Sequence, residues 1–163
     1  MTATTLSTLQ HLREHVERNH GRALDRIERI VNHDTPSFDA AATKGAITRI
    51  AAWCEAQGAA LETVDAGGVH ADHLVARWTA SHDAQVHILI LTHVDTVWPA
   101  DETTRRPFKR DGDCATGPGI FDMKTGIVQS LEAIDAARAV GGLENTRLTL
   151  LVTTDEEVGS PSS

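Results

Sequence analysis

The sequence predicts an α/β fold, a mixed and largely parallel sheet flanked by helices. Helix-periodic stretches alternate with short apolar runs along the 163 residues. Between Val86 and Thr154 the order is apolar run, long excursion, helix, apolar run, which describes a crossover between parallel strands. The length suits one domain with its own core. A formal charge of -8, with no basic cluster, argues against nucleic acid as a partner. No stretch is long and apolar enough to span a membrane, and Met1 to Gln10 lacks the basic start and apolar run of a secretory signal. Cys54 and Cys114 lie far apart and form no CxxC, so the expectation is a cytoplasmic protein with reduced thiols, a disulfide between them staying open.

Taken in order, Leu6 to Val31 is predicted helical, in two pieces broken near Asn19-His20-Gly21, with Leu6, Leu9, Leu12 and Val16 on one face and Leu24, Ile27 and Val31 continuing it. Within this stretch His11-Leu12-Arg13-Glu14-His15 matches H-x-x-E-H, a zinc signature. On a helix both histidines point away from the apolar stripe, so a solvated face is the preferred reading and a zinc peptidase built on them the rival. Pro36 makes Asn32 to Ser37 a turn. A second helix follows from about Asp39 to Gln57, with Ile47, Ile50, Ala51 and Cys54 facing inward and Gly58 closing it.

Leu61 to Asp65 and His73 to Trp78 read as short strands joined through Ala66-Gly67-Gly68. His70 and His73 read as turn and strand-edge histidines in preference to a metal pair, and His82 and His87 carry no functional reading. Val86 to Thr92 is apolar at consecutive positions, as in a central strand buried on both faces. Asp111-Gly112 favours a tight hairpin turn between Phe108 to Arg110 and Asp113 to Ala115. Gly117-Pro118-Gly119 bends the chain into Ile120-Phe121-Asp122. A third helix spans about Met123 to Val140, with Ile127, Leu131 and Ile134 on one side and Gly141-Gly142 ending it. Arg147 to Thr154 is a second apolar strand, stopping at Asp155-Glu156-Glu157.

The chemistry gathers at the ends of these strands. His93 and Asp95, two residues apart on extended backbone, project from one face and can touch. A carboxylate beside an imidazole fixes the tautomer of a zinc ligand; a buried strand that happens to end in polar residues is the plainer alternative. Open α/β sheets place their sites at the carboxyl ends of parallel strands. His93, Asp95, Glu156 and Glu157 lie just past those ends, and Asp122 begins the intervening helix at the same edge. Five candidates from three segments thus reach one rim. Imidazole and carboxylates together suit zinc and similar ions. A carboxylate can bridge two metals about 3.5–4 Å apart, and one further carboxylate must stay unligated to take a proton from water.

Thr92-His93-Val94-Asp95-Thr96-Val97, Gly117-Pro118-Gly119-Ile120-Phe121-Asp122-Met123-Lys124 and Thr154-Asp155-Glu156-Glu157-Val158-Gly159-Ser160 resemble the motifs of M20 family metallopeptidases, above all the glutamate carboxypeptidase-like branch. The resemblance runs from about residue 22 to the last residue. It implies a zinc-exopeptidase-like catalytic domain of which residues 1–163 are the N-terminal part, the lid and dimerisation domain and the C-terminal part being absent. It implies two divalent ions, zinc above others, with His93 ligating one, Asp95 orienting it, Asp122 bridging and Glu157 ligating the second. Glu156 then resembles the general base that activates the bridging water, and the Asp122-Met123 peptide is expected to be cis.

The implied substrate is a small peptide or N-acyl amino acid cleaved beside a free carboxylate, and the implied parent is a homodimer. Each ion would have two protein ligands from this chain, where catalytic zinc normally has three, so the chain alone is expected to be inactive. The alternative is a non-catalytic short relative or binding module on the same scaffold.

Overall fold

The computed structural model describes residues 3–79, 81 and 83–163, and His82 lies outside them. Helix α1, Ala3–Val31, runs unbroken through Asn19-His20-Gly21, where a break was expected. Gly21 costs a helix about 1 kcal/mol relative to alanine, and long-range ion pairs on both sides of it hold the helix straight. Arg22 reaches Glu132 at 2.5 Å and Asp135 at 2.6 Å, Arg26 reaches Glu132 at 2.8 Å, and His15 Nε2 lies 3.1 Å from Asp135. Those pairs dock α1 on α4, Thr125–Ala139. They also set the helix's rotation: Leu6, Leu9 and Val16 are exposed, Ile30 and Val31 are buried, and His15 turns to α4 in place of solvent.

Helix α2, Ala40–Ala56, begins where the Asp39 carboxylate accepts the Ala42 N–H at 2.9 Å, satisfying one of the free donors of a helix start. It buries Ile47, Ile50 and Cys54 as expected, and Gly58 (φ 79°) turns the chain away in a left-handed conformation that glycine adopts without strain. Burial pushes the Cys54 thiol up to about 12, so it behaves as a small apolar residue.

Four strands form the main sheet in the order β1 (Ala60–Val64), β2 (His73–Thr79), β6 (Thr146–Thr153), β3 (Val86–His93). The fold class is α/β with a mixed sheet, and β3 and β6 are parallel as the crossover requires. The other two neighbouring pairs are antiparallel, which corrects the expectation of a largely parallel sheet. The connection from β1 to β2 is too short for a crossover, so β2 returns antiparallel and takes the place beside β6. β1, β3 and β6 still point the same way. Strand β3 is also an edge strand among the described residues, not a central one. Val86 and Ile88 are exposed at this unpaired edge, and Leu89 and Leu91, in register with Thr149 and Leu151, are exposed on the sheet face away from the core.

Between β3 and α4 the chain forms a short helix, α3 (Glu102–Arg105), and the expected hairpin, β4 (Lys109–Asp111) and β5 (Cys114–Thr116), around Gly112. Glu102 is buried and holds Arg106, whose guanidinium also lies over Trp98 at 4.0 Å.

One face of the sheet carries the core. Leu74, Ala76 and Trp78 of β2 and Leu148, Leu150 and Val152 of β6 meet Ile30, Ile50, Ile127 and Leu131 from the helices. Among the described residues no helix is long and apolar enough to cross a membrane. Leu131→Ala, at a fully buried position, is expected to lower stability by about 2–5 kcal/mol. Leu89→Ala, on the face of β3 away from the core, is expected to stay within about 0.5 kcal/mol. Urea unfolding of the two variants checks both.

Candidate metal centre

The parallel pair sets the rim. His93 is in register with Thr153, and the Val94 N–H extends the ladder by one bond to the Thr153 carbonyl at 3.0 Å. Past that point both chains turn: β3 into Asp95, β6 into Asp155 and the single helical turn Glu156–Val158. The third segment arrives through a wide turn, Ile120–Lys124, in which Asp122 and Met123 leave helical dihedrals and the peptide between them is cis. Gly119 opens this turn at φ 66°, and a Cβ there would come within 2.5 Å of the Thr96 Cγ2. The Asp122 turn therefore lies against the Asp95 loop, and glycine is needed both for its dihedral and for the close approach.

These three segments bring the predicted residues together. His93 Nε2 is 3.0 Å from Asp122 Oδ1 and 3.8 Å from Glu156 Oε2. One potential ligand atom each of His93, Asp122 and Glu157 lies within 4.8 Å of the others, and among the described residues this is the group of three such donors the fold assembles. His11 and His15 join no comparable group, because His15 is engaged by Asp135.

The other ring nitrogen of His93 faces inward. Nδ1–H donates to the Asp95 backbone carbonyl at 3.2 Å, with the Asp95 Oδ1 at 3.4 Å. That leaves Nε2 directed at the carboxylates. Asp95 itself is 0% exposed and has acceptor duties on both oxygens. Its Oδ1 takes the Glu156 N–H at 3.2 Å, and its Oδ2 takes the Ser37 hydroxyl at 2.7 Å and the Glu157 N–H at 3.2 Å. Burial alone would raise its pKa, but His93, Ser37 and the Glu157 amide outweigh it and hold the carboxyl below the usual range.

Charge at the rim is unbalanced. Burial pushes Glu157 upward, and the neighbouring carboxylates Asp122, Asp95 and Glu156 push it further against the opposing effect of His93. Burial also works against a charged His93, but hydrogen bonds to Asp95 and Asp122 and the field of Asp95 and Glu156 prevail, and its pKa is pushed up to about 9. Several carboxylates thus share one imidazolium. An N/O donor set with excess negative charge fits a divalent cation of the zinc type.

Three residues outside the predicted set support this rim. Lys124 is fully buried, donates from Nζ to the His33 carbonyl at 2.8 Å, and is pushed down to about 8 by burial, with Asp34 opposing. Ser37 holds Asp95. His70 Nδ1–H donates to the Ser37 carbonyl at 2.6 Å. His70 lies in the bend before β2 and His73 is its first residue, as expected, and neither joins a metal-ligating group among the described residues; both are buried, and each satisfies backbone groups of a distant segment, His73 Nδ1 accepting the Thr154 N–H at 3.2 Å. Lys124 stood inside a recognised motif, whereas nothing in the spacing of Ser37 or His70 marks their partners.

The profile of Peptidase family M20/M25/M40 matches residues 89–163, the stretch holding all three rim segments. Carboxypeptidase G2 of Pseudomonas sp. (strain RS-16) is 30% identical over 135 residues, 82% of this chain and 32% of that protein. The chain is similar to proteins of the M20 peptidase family. Its fold matches those of several solved structures. Human carnosine dipeptidase 1 superposes with a TM-score of 0.80 at 16% identity, over 95% of this chain and 36% of that one. The dipeptidase Dug1p of Saccharomyces cerevisiae gives 0.80 at 17%, over 94% and 36%. The M20 family metallo-carboxypeptidase Sso-CP2 of Sulfolobus solfataricus gives 0.71 at 19%, over 85% and 32%. The chain spans about a third of the length of these relatives.

The raised pKa of His93 has a sign that can be checked. A histidine whose folded pKa exceeds its unfolded value near 6.5 adds stability that is complete below about pH 6.5 and is lost as pH rises through about 9. In metal-free protein the His93 ring is expected to titrate near pH 9 by NMR. The decline in stability between those pH values is expected to shrink in His93→Gln.

Proposed function

We propose that His93, Asp122 and Glu157 hold divalent metal, zinc above others, in the catalytic unit of an M20 metallopeptidase. The substrate is a small peptide or N-acyl amino acid, cut at the amide beside a free carboxylate. The observation that carries this reading is the convergence of one imidazole and several carboxylates, from three separate segments, on one rim. The family match over residues 89–163 supports it, and the likeness to Carboxypeptidase G2 supports the carboxylate-adjacent bond. A bound ion would supply Lewis-acid polarisation of the scissile carbonyl and a more acidic water.

The chain's own residues divide the work. His93 presents Nε2 because Asp95 occupies Nδ1. Asp122 is the carboxylate that would be shared by two ions, and Glu157 would help hold the second. Glu156 is the free base. Its side chain is half-exposed, its backbone N–H is tied to Asp95, and its Oε2 stands 3.8 Å from His93 Nε2. It takes the proton of the attacking water on a carboxylate oxygen and hands it to the leaving amine.

Two ligands per ion from this chain fall short of the three usual at catalytic zinc. Turnover therefore needs further donors, from a longer polypeptide or another subunit, and a homodimeric assembly suits that requirement. The non-catalytic alternative, a binding module on the same scaffold, would keep the rim without using Glu156 as a base.

Assayed with added zinc against dipeptides and N-acyl amino acids, the 163-residue chain is expected to give no turnover above its Glu156→Gln variant. In a chain extended to supply the remaining ligands, Glu156→Gln is expected to remove activity, about 10²-fold or more, while bound zinc measured by elemental analysis stays near normal. Activity that survives this change would refute Glu156 as the base.

A further inference from the structure

The rim depends on a group that no motif contains. We infer that Ser37, on the α1–α2 loop, is a positioning residue for the metal rim, acting through Asp95; this inference rests on the metal reading above. Its hydroxyl donates to Asp95 Oδ2 at 2.7 Å inside the protein. Among the described residues it is the only side-chain hydroxyl in contact with Asp95, the other contacts being backbone amides and the His93 ring. Asp95 sits at the junction of all three functions, since it orients His93 and anchors the amides of Glu156 and Glu157. A carboxylate can rotate about its terminal torsion, and that torsion has a broad, soft profile. With only two amides at 3.2 Å the carboxylate plane is loosely held, and the shorter bond from Ser37 fixes it.

The loop that presents Ser37 is itself clamped. His70 Nδ1–H holds the Ser37 carbonyl at 2.6 Å. One residue earlier, Pro36 is bridged to Thr96, and the Thr96 N–H donates to the Thr35 carbonyl at 2.8 Å. Lys124, two residues past Asp122, fixes the His33 carbonyl at 2.8 Å. The loop is therefore tied to the Asp95 segment on one side and to the Asp122 turn on the other. Ser37 needs no adjustment to reach Asp95, which is the property expected of a preorganised outer support for metal ligands.

The test reads amide hydrogen exchange in the metal-free 163-residue chain, comparing Ser37→Ala with Ser37→Thr, which keeps a hydroxyl. In Ser37→Ala the amides of Glu156 and Glu157 are expected to exchange about tenfold faster or more, while Leu150 and Val152 in β6 stay unchanged. Ser37→Thr is expected to restore protection at both. Zinc affinity, measured by competition with a chromophoric chelator, is expected to fall about 10–100-fold in Ser37→Ala and to recover in Ser37→Thr.

Unchanged exchange at Glu156 and Glu157 overturns the inference, as does acceleration spread equally over β6, which would mean a structural role only. Should Ser37→Ala not fold, Ser37→Cys, close in size and a weaker donor, carries the same comparison. If neither this chain nor a chain extended to supply the remaining ligands binds zinc, the metal reading fails, and the exchange data still decide whether Ser37 positions Asp95.

Discussion

The arrangement of the rim depends on one buried carboxylate. Asp95 has no exposure to solvent, so its charge must be met inside the protein, and four groups meet it: the His93 ring, the Ser37 hydroxyl and the amides of Glu156 and Glu157. Each of those bonds is charge-assisted and stronger than its neutral counterpart. Because the four partners come from three separate parts of the chain, satisfying one charge also brings β3, β6 and the α1–α2 loop into register. The same contacts that lower the cost of burying Asp95 aim Nε2 of His93 and hold the Glu156–Val158 turn. Stability and positioning are here one interaction seen from two sides.

What could be read from the sequence follows the range of the forces involved. Asp39 before α2, Gly58 after it and Gly112 in the hairpin are local signals, and the structure places the elements where they point. The parallel pairing of β3 with β6 was legible for a related reason, since a helix-bearing excursion between two apolar runs leaves little choice of direction. The rim positions of His93, Asp122, Glu156 and Glu157 follow from that topology. The sheet as a whole did not, because a short link between β1 and β2 reversed one strand and placed it beside β6.

The remaining misreadings are of contacts distant in sequence. Asn19-His20-Gly21 carries a break signal, yet Arg22 reaches Glu132 and Asp135, more than a hundred residues away, and α1 continues. The same pairs turn His15 toward α4 and leave Leu6, Leu9 and Val16 outside, the reverse of what an isolated amphipathic helix would do. Ser37 meets Asp95 across 58 residues and His70 across 33, through single bonds with no spacing rule to announce them. Lys124 is similar: a buried ammonium matched to one backbone carbonyl is visible only after the turn that carries it has folded.

The free side of β3 has a further geometric meaning. The strand that ends in His93 is also, among the described residues, an edge of the sheet, and those of its backbone groups that face away from β6 point to no described strand. A neighbouring strand lies about 4.8 Å away and has its residues locked in step by the hydrogen bonds. Any segment that zips onto this edge is thereby indexed to His93, residue for residue, and its own end is delivered beside the rim. β3 is thus a ruler as well as a support, since it measures out where an added ligand would stand.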